Sequence, residues 1–198
     1  MATELPIADP LEVTVRVIRA LERVGAQYLV GGSLASSLHG VPRATQDIDI
    51  VVDLSPTHIP ALIRELSREF FVDEQRVKTA VPRRETFNII DRQSMIKVDV
   101  FVLGDDDLSR GQIARRVQYE LPGAAGQTLF LSAPEDVVAH KLYWYRLGGG
   151  VSDRQWGDAV NVLKVQAGRL DSALLERIAA ARGVSDLLGK ALREAEQG

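Results

Sequence analysis

The amino-acid sequence predicts an α+β protein in which a small mixed β-sheet with packed helices is followed by a helical C-terminal lobe. Residues 47–53 and 94–102 predict the sheet, because each stretch alternates polar and apolar side chains with the period of two of a strand. Beyond Ser132 the apolar residues instead recur at helical spacing. We therefore expect a mixed domain at residues 1–131 and a helical lobe at residues 132–198.

The composition is that of an ordinary globular protein, with 45% hydrophobic and 26% charged residues among 198. Cysteine is absent, which excludes disulfides, thiolate chemistry and cysteine-ligated zinc. No apolar run is long enough to span a bilayer and the first residues lack the basic start of a signal peptide, so we expect a cytoplasmic protein without a membrane partner. The net charge of -3 speaks against a protein that coats nucleic acid.

The first predicted helix spans residues 9–24, with Asp9 as its N-cap, Pro10 at its first position and Gly25 after its end. A strand at residues 28–30 and a short helix from Ser33 should follow. The expected buried stripe of the first helix is Leu11, Val15, Ile18, Leu21 and Val24.

A Gly-Gly-Ser turn separates that strand from the short helix. Gly31 and Gly32 allow the backbone to approach a ligand, and Ser33 opens a helix whose free N–H groups can bind an anion. Taken alone, such a turn is a weak signal, because it is usually a simple strand-to-helix connection.

The strand at residues 47–53 carries Asp47, Asp49 and Asp53 on one face. Aspartate is disfavoured in strands, and like charges on one face repel each other. A divalent cation such as Mg²⁺ turns this repulsion into coordination, since it is held by one or two carboxylates together with water and substrate phosphates. The alternative is an edge strand with a solvated acidic face.

The middle of the chain predicts a helix at residues 55–70 and then mainly strands as far as residue 103. Residues 77–81 and 86–90 could pair as a hairpin, although residues 81–85 fit a loop equally well. Asp99 lies on the polar face of the strand at residues 94–102, and its alternative role is a salt bridge with Lys97. An acidic turn at residues 104–107 should cap a helix at residues 108–116, followed by strands at 117–121 and 128–131 around a turn at 122–126.

Ser132 and Glu135 have capping-box spacing and predict a helix at residues 134–147, followed by helices at 152–166, 171–182 and 185–194. The three histidines are scattered and do not predict a metal site. Two further groups receive structural interpretations. The aromatic residues Tyr143, Trp144, Tyr145 and Trp156 are interpreted as core rather than as a base-stacking platform. The pairs Arg83-Arg84 and Arg115-Arg116 are interpreted as solvated surface charge, with contact to a polyanionic acceptor as the alternative.

The run Val30-Gly31-Gly32-Ser33 followed by Asp47-Ile48-Asp49 resembles the signature of the nucleotidyltransferase superfamily, which has the DNA polymerase beta-like fold. With Leu34-Ala35 and Arg43-Ala44-Thr45-Gln46 added, it is most similar to the bacterial branch that contains abortive-infection, type IV toxin nucleotidyltransferases. The resemblance implies Mg²⁺- or Mn²⁺-dependent transfer of a nucleoside monophosphate from an NTP such as ATP, with pyrophosphate leaving.

The resemblance also implies roles for individual residues. Asp47 and Asp49 would hold the metal, and Asp99 would be a third ligand or the base that accepts the acceptor's proton. The nucleotide and its phosphates would contact Gly31, Gly32, Ser33, Arg43 and Lys141. For Arg43, a structural ion pair with Asp47 is an equally open alternative.

The acceptor is left open between RNA, including tRNA, a protein side chain and a small molecule such as an aminoglycoside. The resemblance to toxins favours RNA or protein and suggests an antitoxin protein as a partner. The alternative from another class is a nucleotide-binding or partner-binding module that has lost its chemistry. Three carboxylates on the polar faces of strands speak against it, because a protein without the chemistry would gain nothing that offsets their mutual repulsion.

Overall fold

The structure is a computed structural model that describes residues 10–121 and 127–197, and it confirms the predicted α+β class. The strands found there are β1 Gln27–Val30, β2 Ile48–Asp53, β3 Phe70–Val72, β4 Thr86–Asp91, β5 Lys97–Val102, β6 Val117–Glu120 and β7 Thr128–Leu131. The helices are α1 Pro10–Arg23, α2 Gly32–His39, α3 Ile59–Leu66, α4 Glu74–Arg83, α5 Asp107–Ala114, α6 Pro134–Leu147, α7 Asp153–Val165, α8 Ser172–Ala181 and α9 Ser185–Gln197.

All of these strands form one mixed sheet in the order β3-β4-β5-β2-β1-β7-β6. The neighbours β2 and β5 are parallel, β1 and β7 are parallel, and the remaining pairs are antiparallel. The parallel register of β2 and β5 sets Asp49 directly beside Asp99.

The two faces of the sheet are covered differently. The predicted alternation in β2 is confirmed, because Ile48, Ile50 and Val52 are fully buried in the main core. Asp49 and Val51 face the other way, where Val51 packs against a small second cluster of Leu29, Leu103 and Ile113. This second face carries the candidate site.

Helix α1 confirms the first predicted helix, and Gly25 follows it with a φ of +75°. The predicted stripe is rotated, since Leu11 and Val15 are only partly buried whereas Val13 and Val17 are fully buried. The proposed N-cap Asp9 lies outside the described residues.

The predicted strand at residues 77–81 is wrong, because this stretch belongs to helix α4. The Asp73 carboxylate accepts a hydrogen bond from the Arg76 N–H at 3.0 Å, which caps the helix. Val77, Ala80 and Val81 are buried at the i, i+3, i+4 spacing of a helix, a pattern that outweighs the β-branched residues.

The helix predicted at residues 55–70 is also shorter than expected. A 3₁₀ turn at Pro56–His58 leads into α3, and Phe70 already begins β3. The predicted capping box at Ser132 and Glu135 is wrong as well, because Ala133 is the N-cap of α6 and supplies no side-chain hydrogen bond. The Glu135 carboxylate instead accepts the Asp171 N–H at 2.9 Å and so ties α6 to the start of α8.

The remaining predicted elements are confirmed within a few residues. The Asp106 carboxylate accepts the Ser109 N–H at 3.0 Å and caps α5, and Ser152 caps α7. The predicted turn at residues 122–126 lies outside the described residues, and the division at residue 131 stays a prediction. None of the helices in the described part of the chain combines the length and the apolar character that crossing a membrane requires.

Candidate active site

A cavity of about 570 Å³ opens over the sheet face that carries Asp49 and Asp99. Its walls come from the turn between β1 and α2, from β2 and β5, and from the helices α5, α6 and α7. Of the residues predicted for the site, all except Arg43 line this cavity: Gly31, Gly32, Ser33, Asp47, Asp49, Asp99 and Lys141.

The carboxylates of Asp49 and Asp99 lie on paired strands, and Asp49 is half-buried. Burial raises the pKa of Asp49, the negative charges of Asp99 and Asp47 raise it further, and Lys141 opposes them. Asp99 is also paired with Lys97, at 2.9 Å from its ammonium nitrogen. The salt bridge considered as an alternative is therefore present, and it does not remove Asp99 from the cavity.

A complete metal site is not assembled among the described residues, where no three His, Asp or Glu side chains converge as a metal ion requires. The Asp99 carboxylate is held by Lys97 and accepts a hydrogen bond from Asn88 at 3.1 Å. Asp47 is 57% exposed and lies 3.8 Å from an Arg154 nitrogen. Asp49 and Asp99 remain adjacent, and two carboxylates suit Mg²⁺. The metal role of the three aspartates stays a prediction.

The Gly-Gly-Ser turn is fixed directly to the acidic strand. The Gly31 N–H donates a hydrogen bond to the Asp49 carbonyl oxygen at 2.9 Å. Gly32 has a φ of +56°, and a Cβ built at this position would lie 1.8 Å from the Asp49 carboxylate oxygen Oδ2. Only glycine fits at residue 32, both because of its backbone conformation and because the carboxylate fills the side-chain space.

Asp158 on α7 is the main site residue that the sequence did not reveal. Its buried carboxylate receives hydrogen bonds from two Arg43 nitrogens, both at 2.7 Å, and from the Ser36 hydroxyl at 3.1 Å. The Lys141 ammonium lies 2.8 Å from the same carboxylate. The sequence places this aspartate inside a predicted helix, 115 residues away from Arg43, and gives it no partner.

We call Asp158, Arg43 and Lys141 the Asp158 cluster. Their burial and mutual contacts change the pKa values of all three side chains. Burial raises the pKa of Asp158, but hydrogen bonds from Arg43 and Lys141 outweigh burial, and the pKa is below its ordinary value. Burial lowers the pKa of Lys141, although Asp158 opposes this change. The cluster is therefore a buried set of paired charges, and the structural partner of Arg43 is Asp158 rather than Asp47.

The Ser33 hydroxyl connects this cluster with the turn. It accepts a hydrogen bond from Arg43 at 2.8 Å and a longer one from Lys141 at 3.4 Å. Lys141 lines the cavity, whereas Arg43 lies behind Ser33. The direct phosphate contact predicted for Arg43 therefore remains untested, and its observed contacts position Ser33 and Asp158.

The interpretation of the aromatic residues as core is wrong for Trp144. Its side chain is 46% exposed and lines the cavity, and its indole N–H donates to the His140 ring nitrogen Nε2 at 2.5 Å. Tyr145 and Trp156 do pack on the core, with ring centroids 5.1 Å apart. Trp144 was missed because helical spacing does not show which side of a helix faces a cavity.

The predicted solvated surface charge is wrong for Arg115. This arginine forms a bidentate ion pair with the buried Asp136. Its Nη2 donates to Oδ1 at 2.6 Å and its Nε donates to Oδ2. Arg84 lies partly buried and donates to the Leu54 carbonyl oxygen at 2.9 Å. These two side chains bind protein groups of neighbouring elements, and contact of the arginine pairs with a polyanionic acceptor stays untested.

No family model matches the chain, and no curated protein sequence matches it. Several solved structures have a similar fold, among them two that match over most of the chain. An antigenic nucleotidyltransferase-like protein from Paracoccidioides brasiliensis matches with a TM-score of 0.55 and 16% identity over 94% of this chain and 93% of that one. ANT(2")-Ia in complex with adenylyl-2"-tobramycin matches with a TM-score of 0.54 and 14% identity over 87% of this chain and 96% of that one. The chain therefore has a nucleotidyltransferase-like fold, and the abortive-infection branch stays a prediction.

Proposed function

We propose that this protein is a metal-dependent nucleotidyltransferase that transfers a nucleoside monophosphate from an NTP to an acceptor hydroxyl or phosphate. The observation that carries the proposal is the side-by-side placement of Asp49 and Asp99, facing the Gly-Gly-Ser turn within one cavity. Two like charges in a half-buried site oppose folding unless a cation joins them. The raised pKa of Asp49 is consistent with this cost.

Asp49 and Asp99 are suitable ligands for a divalent cation. The exposed Asp47 could become a third ligand if it moved away from Arg154. When bound, Mg²⁺ or Mn²⁺ would neutralise phosphate charge and align the reacting groups. Asp99 is placed to accept the acceptor's proton if it is not itself a ligand. The acceptor oxygen then bonds to the α-phosphorus, the bond to the bridging oxygen breaks, and pyrophosphate leaves.

The phosphates of the NTP belong at the turn end of the cavity. Free N–H groups at the start of α2 and the Ser33 hydroxyl can donate to phosphate oxygens. The Lys141 ammonium, 3.4 Å from the Ser33 oxygen, would stabilise the charge of the leaving pyrophosphate. Arg43 is a positioning residue in this proposal, because it acts through Ser33 and Asp158.

A small-molecule acceptor is favoured by the cavity, whose volume of about 570 Å³ is typical of sites that enclose small ligands. The neighbour ANT(2")-Ia is seen with adenylyl-2"-tobramycin, so a protein of this fold can hold an adenylylated small molecule. RNA, tRNA and protein acceptors, together with an antitoxin partner, remain the alternatives that the test must separate.

The test is transfer of label from each α-³²P NTP, with Mg²⁺, to total RNA and to a cell lysate that contains proteins and small molecules. We expect label with the wild type and with the control Asp53→Asn, an exposed aspartate on the same strand, and none with Asp49→Asn. The mobility of the product identifies the acceptor as RNA, protein or small molecule. Equal labelling by Asp49→Asn would refute the assignment of the site. NTP binding without labelling by the wild type would support the inactive binding module.

A further inference from the structure

The cavity extends well beyond the carboxylates. In the register of β2 and β5, Val51 pairs with Phe101, two residues past the Asp49–Asp99 pair, which is roughly 7 Å along the strands. Leu29 and Leu103 complete this apolar floor. We define the distal region as this floor together with the side chains that wall it: Ser109, Gln112, His140, Trp144 and Arg182.

Arg182, which follows the end of α8, is a half-buried cation without a direct counter-ion among the described residues. Its Nε atom is buried and has no hydrogen-bond partner there, and its guanidinium lies 5.7 Å from the centroid of the Tyr143 ring. Burial lowers the pKa of Arg182, while electrostatic interactions with Asp136, Tyr143 and Asp106 oppose this. Asp136, however, is already bound by Arg115, and Asp106 is bound by Ser109. Because arginine remains charged in proteins, an anionic ligand in the distal region would compensate the charge of Arg182.

The other walls of the distal region carry no compensating charge. Burial lowers the pKa of His140 to about 3, and repulsion from Arg182 and Lys141 contributes. His140 is thus neutral, in agreement with the N–H that Trp144 donates to its ring nitrogen. Among the described residues that line the cavity, the carboxylates are Asp47, Asp49 and Asp99, all at the other end. An acceptor with several ammonium groups, such as an aminoglycoside, would meet Arg182 and no carboxylate in the distal region.

We propose that the distal region is the acceptor subsite and that it takes a small molecule with an apolar body and an oxyanion, a carboxylate or phosphate, bound by Arg182. This inference rests on the proposed function, because it names the acceptor class of that reaction. The apolar body lies on Val51 and Phe101, and a hydroxyl of the same molecule faces Asp99. The NTP phosphates would occupy the opposite end, beside Ser33, so the two anions have separate binding groups.

The test compares benzoate with benzamide, its uncharged counterpart of nearly equal shape, by ligand-observed NMR titration. We expect the wild type to prefer benzoate, and Arg182→Gln to weaken benzoate about 10- to 100-fold with benzamide unchanged, because a charge-assisted hydrogen bond is lost. Arg177→Gln changes an exposed arginine on α8, serves as the matched control and should behave as the wild type. Arg182→Lys should keep part of the preference, since it keeps the charge without the planar fork.

In this comparison, three outcomes would overturn the proposal: no preference of the wild type for benzoate, equal benzoate binding by Arg182→Gln, or an equal loss in Arg177→Gln. If circular dichroism shows that Arg182→Gln does not fold, Arg182→Lys supplies the comparison.

A second experiment repeats the titration with saturating ATP and Mg²⁺. Undiminished benzoate binding supports an acceptor subsite, whereas displacement by ATP assigns the oxyanion to the nucleotide and refutes the acceptor assignment. Because no turnover is needed, a failed transfer assay does not affect this result.

Discussion

Two regions meet at the end of the cavity formed by the Gly-Gly-Ser turn, and they are assembled in different ways. The first is local: the turn at Gly31 and Gly32 and the strand residue Asp49 lie within twenty or so positions, and the backbone conformation of Gly32 together with the Asp49 carboxylate requires glycine at residue 32. The second, the Asp158 cluster, joins Arg43 on one loop with Lys141 and Asp158 on two distant helices. A local constraint leaves a pattern in the sequence, whereas a charge cluster assembled over long range leaves only scattered charged residues.

The strongest test of this contrast is Asp158→Asn. Removing the charge leaves Arg43 and Lys141 half-buried or buried without compensation, so we expect a loss of about 3–5 kcal/mol in the free energy of unfolding. Urea denaturation measures the loss. Asp153→Asn, an exposed residue in the first turn of the same helix, should cost at most about 1 kcal/mol. Equal losses in the two variants would show that the cluster is solvated and that its long-range assembly contributes little.

The local region is tested next by a series of three glycines. We expect Gly32→Ala to cost about 2–4 kcal/mol, because it adds a left-handed backbone penalty to a collision with the Asp49 carboxylate. Gly25→Ala has the positive φ without the collision and should cost about 1–2 kcal/mol. Gly31→Ala has neither a positive φ nor a contact closer than 4.0 Å and should cost less than either. Thermal unfolding of the three variants would contradict this account if Gly32→Ala matched Gly25→Ala.

The smallest expected effect has the opposite sign. Asp49→Asn should raise the free energy of unfolding by about 0.2–1 kcal/mol without metal, because it removes like charges from adjacent strands. The raised pKa of Asp49 sets the pH window: the penalty is absent below the ordinary aspartate pKa and complete above the raised folded value. The advantage of the variant should therefore vanish in acid and grow as the pH rises. Denaturation at several pH values, with Asp53→Asn as control, would refute the idea if the advantage did not depend on pH.

The sequence predicted most of the fold because strands and helix caps are local features. β2 and β5 followed from alternation in residues 47–53 and 94–102, and α7 from its Ser152 cap. Helix α4 was missed because its short run of β-branched residues fits a strand as well as a helix, and only burial of Val77, Ala80 and Val81 decides between them. The capping box at Ser132 failed because Glu135 is used by the backbone of residue 171 instead.

The sequence also predicted only part of the candidate site. Seven residues indicated by the motif or by alternation line the cavity: Gly31, Gly32, Ser33, Asp47, Asp49, Asp99 and Lys141. Asp158 and Arg182 were not predicted, because their roles depend on which helices pack over the sheet, and that packing is set by the tertiary fold. Trp144 was assigned to the core because a period of 3.6 does not distinguish a cavity from a core.

The 115 residues between Arg43 and Asp158 also have a consequence for protein synthesis. At translation rates of 5–20 residues per second, roughly 6–23 s pass between the emergence of these two residues. During that interval the Gly-Gly-Ser turn can form on the nascent chain, but Arg43 and Ser33 have no Asp158 to hold them in place. Under the proposed function, a growing chain therefore carries the Gly-Gly-Ser turn before helix α7 supplies Asp158, and transfer from an NTP would begin only after α7 has left the ribosome.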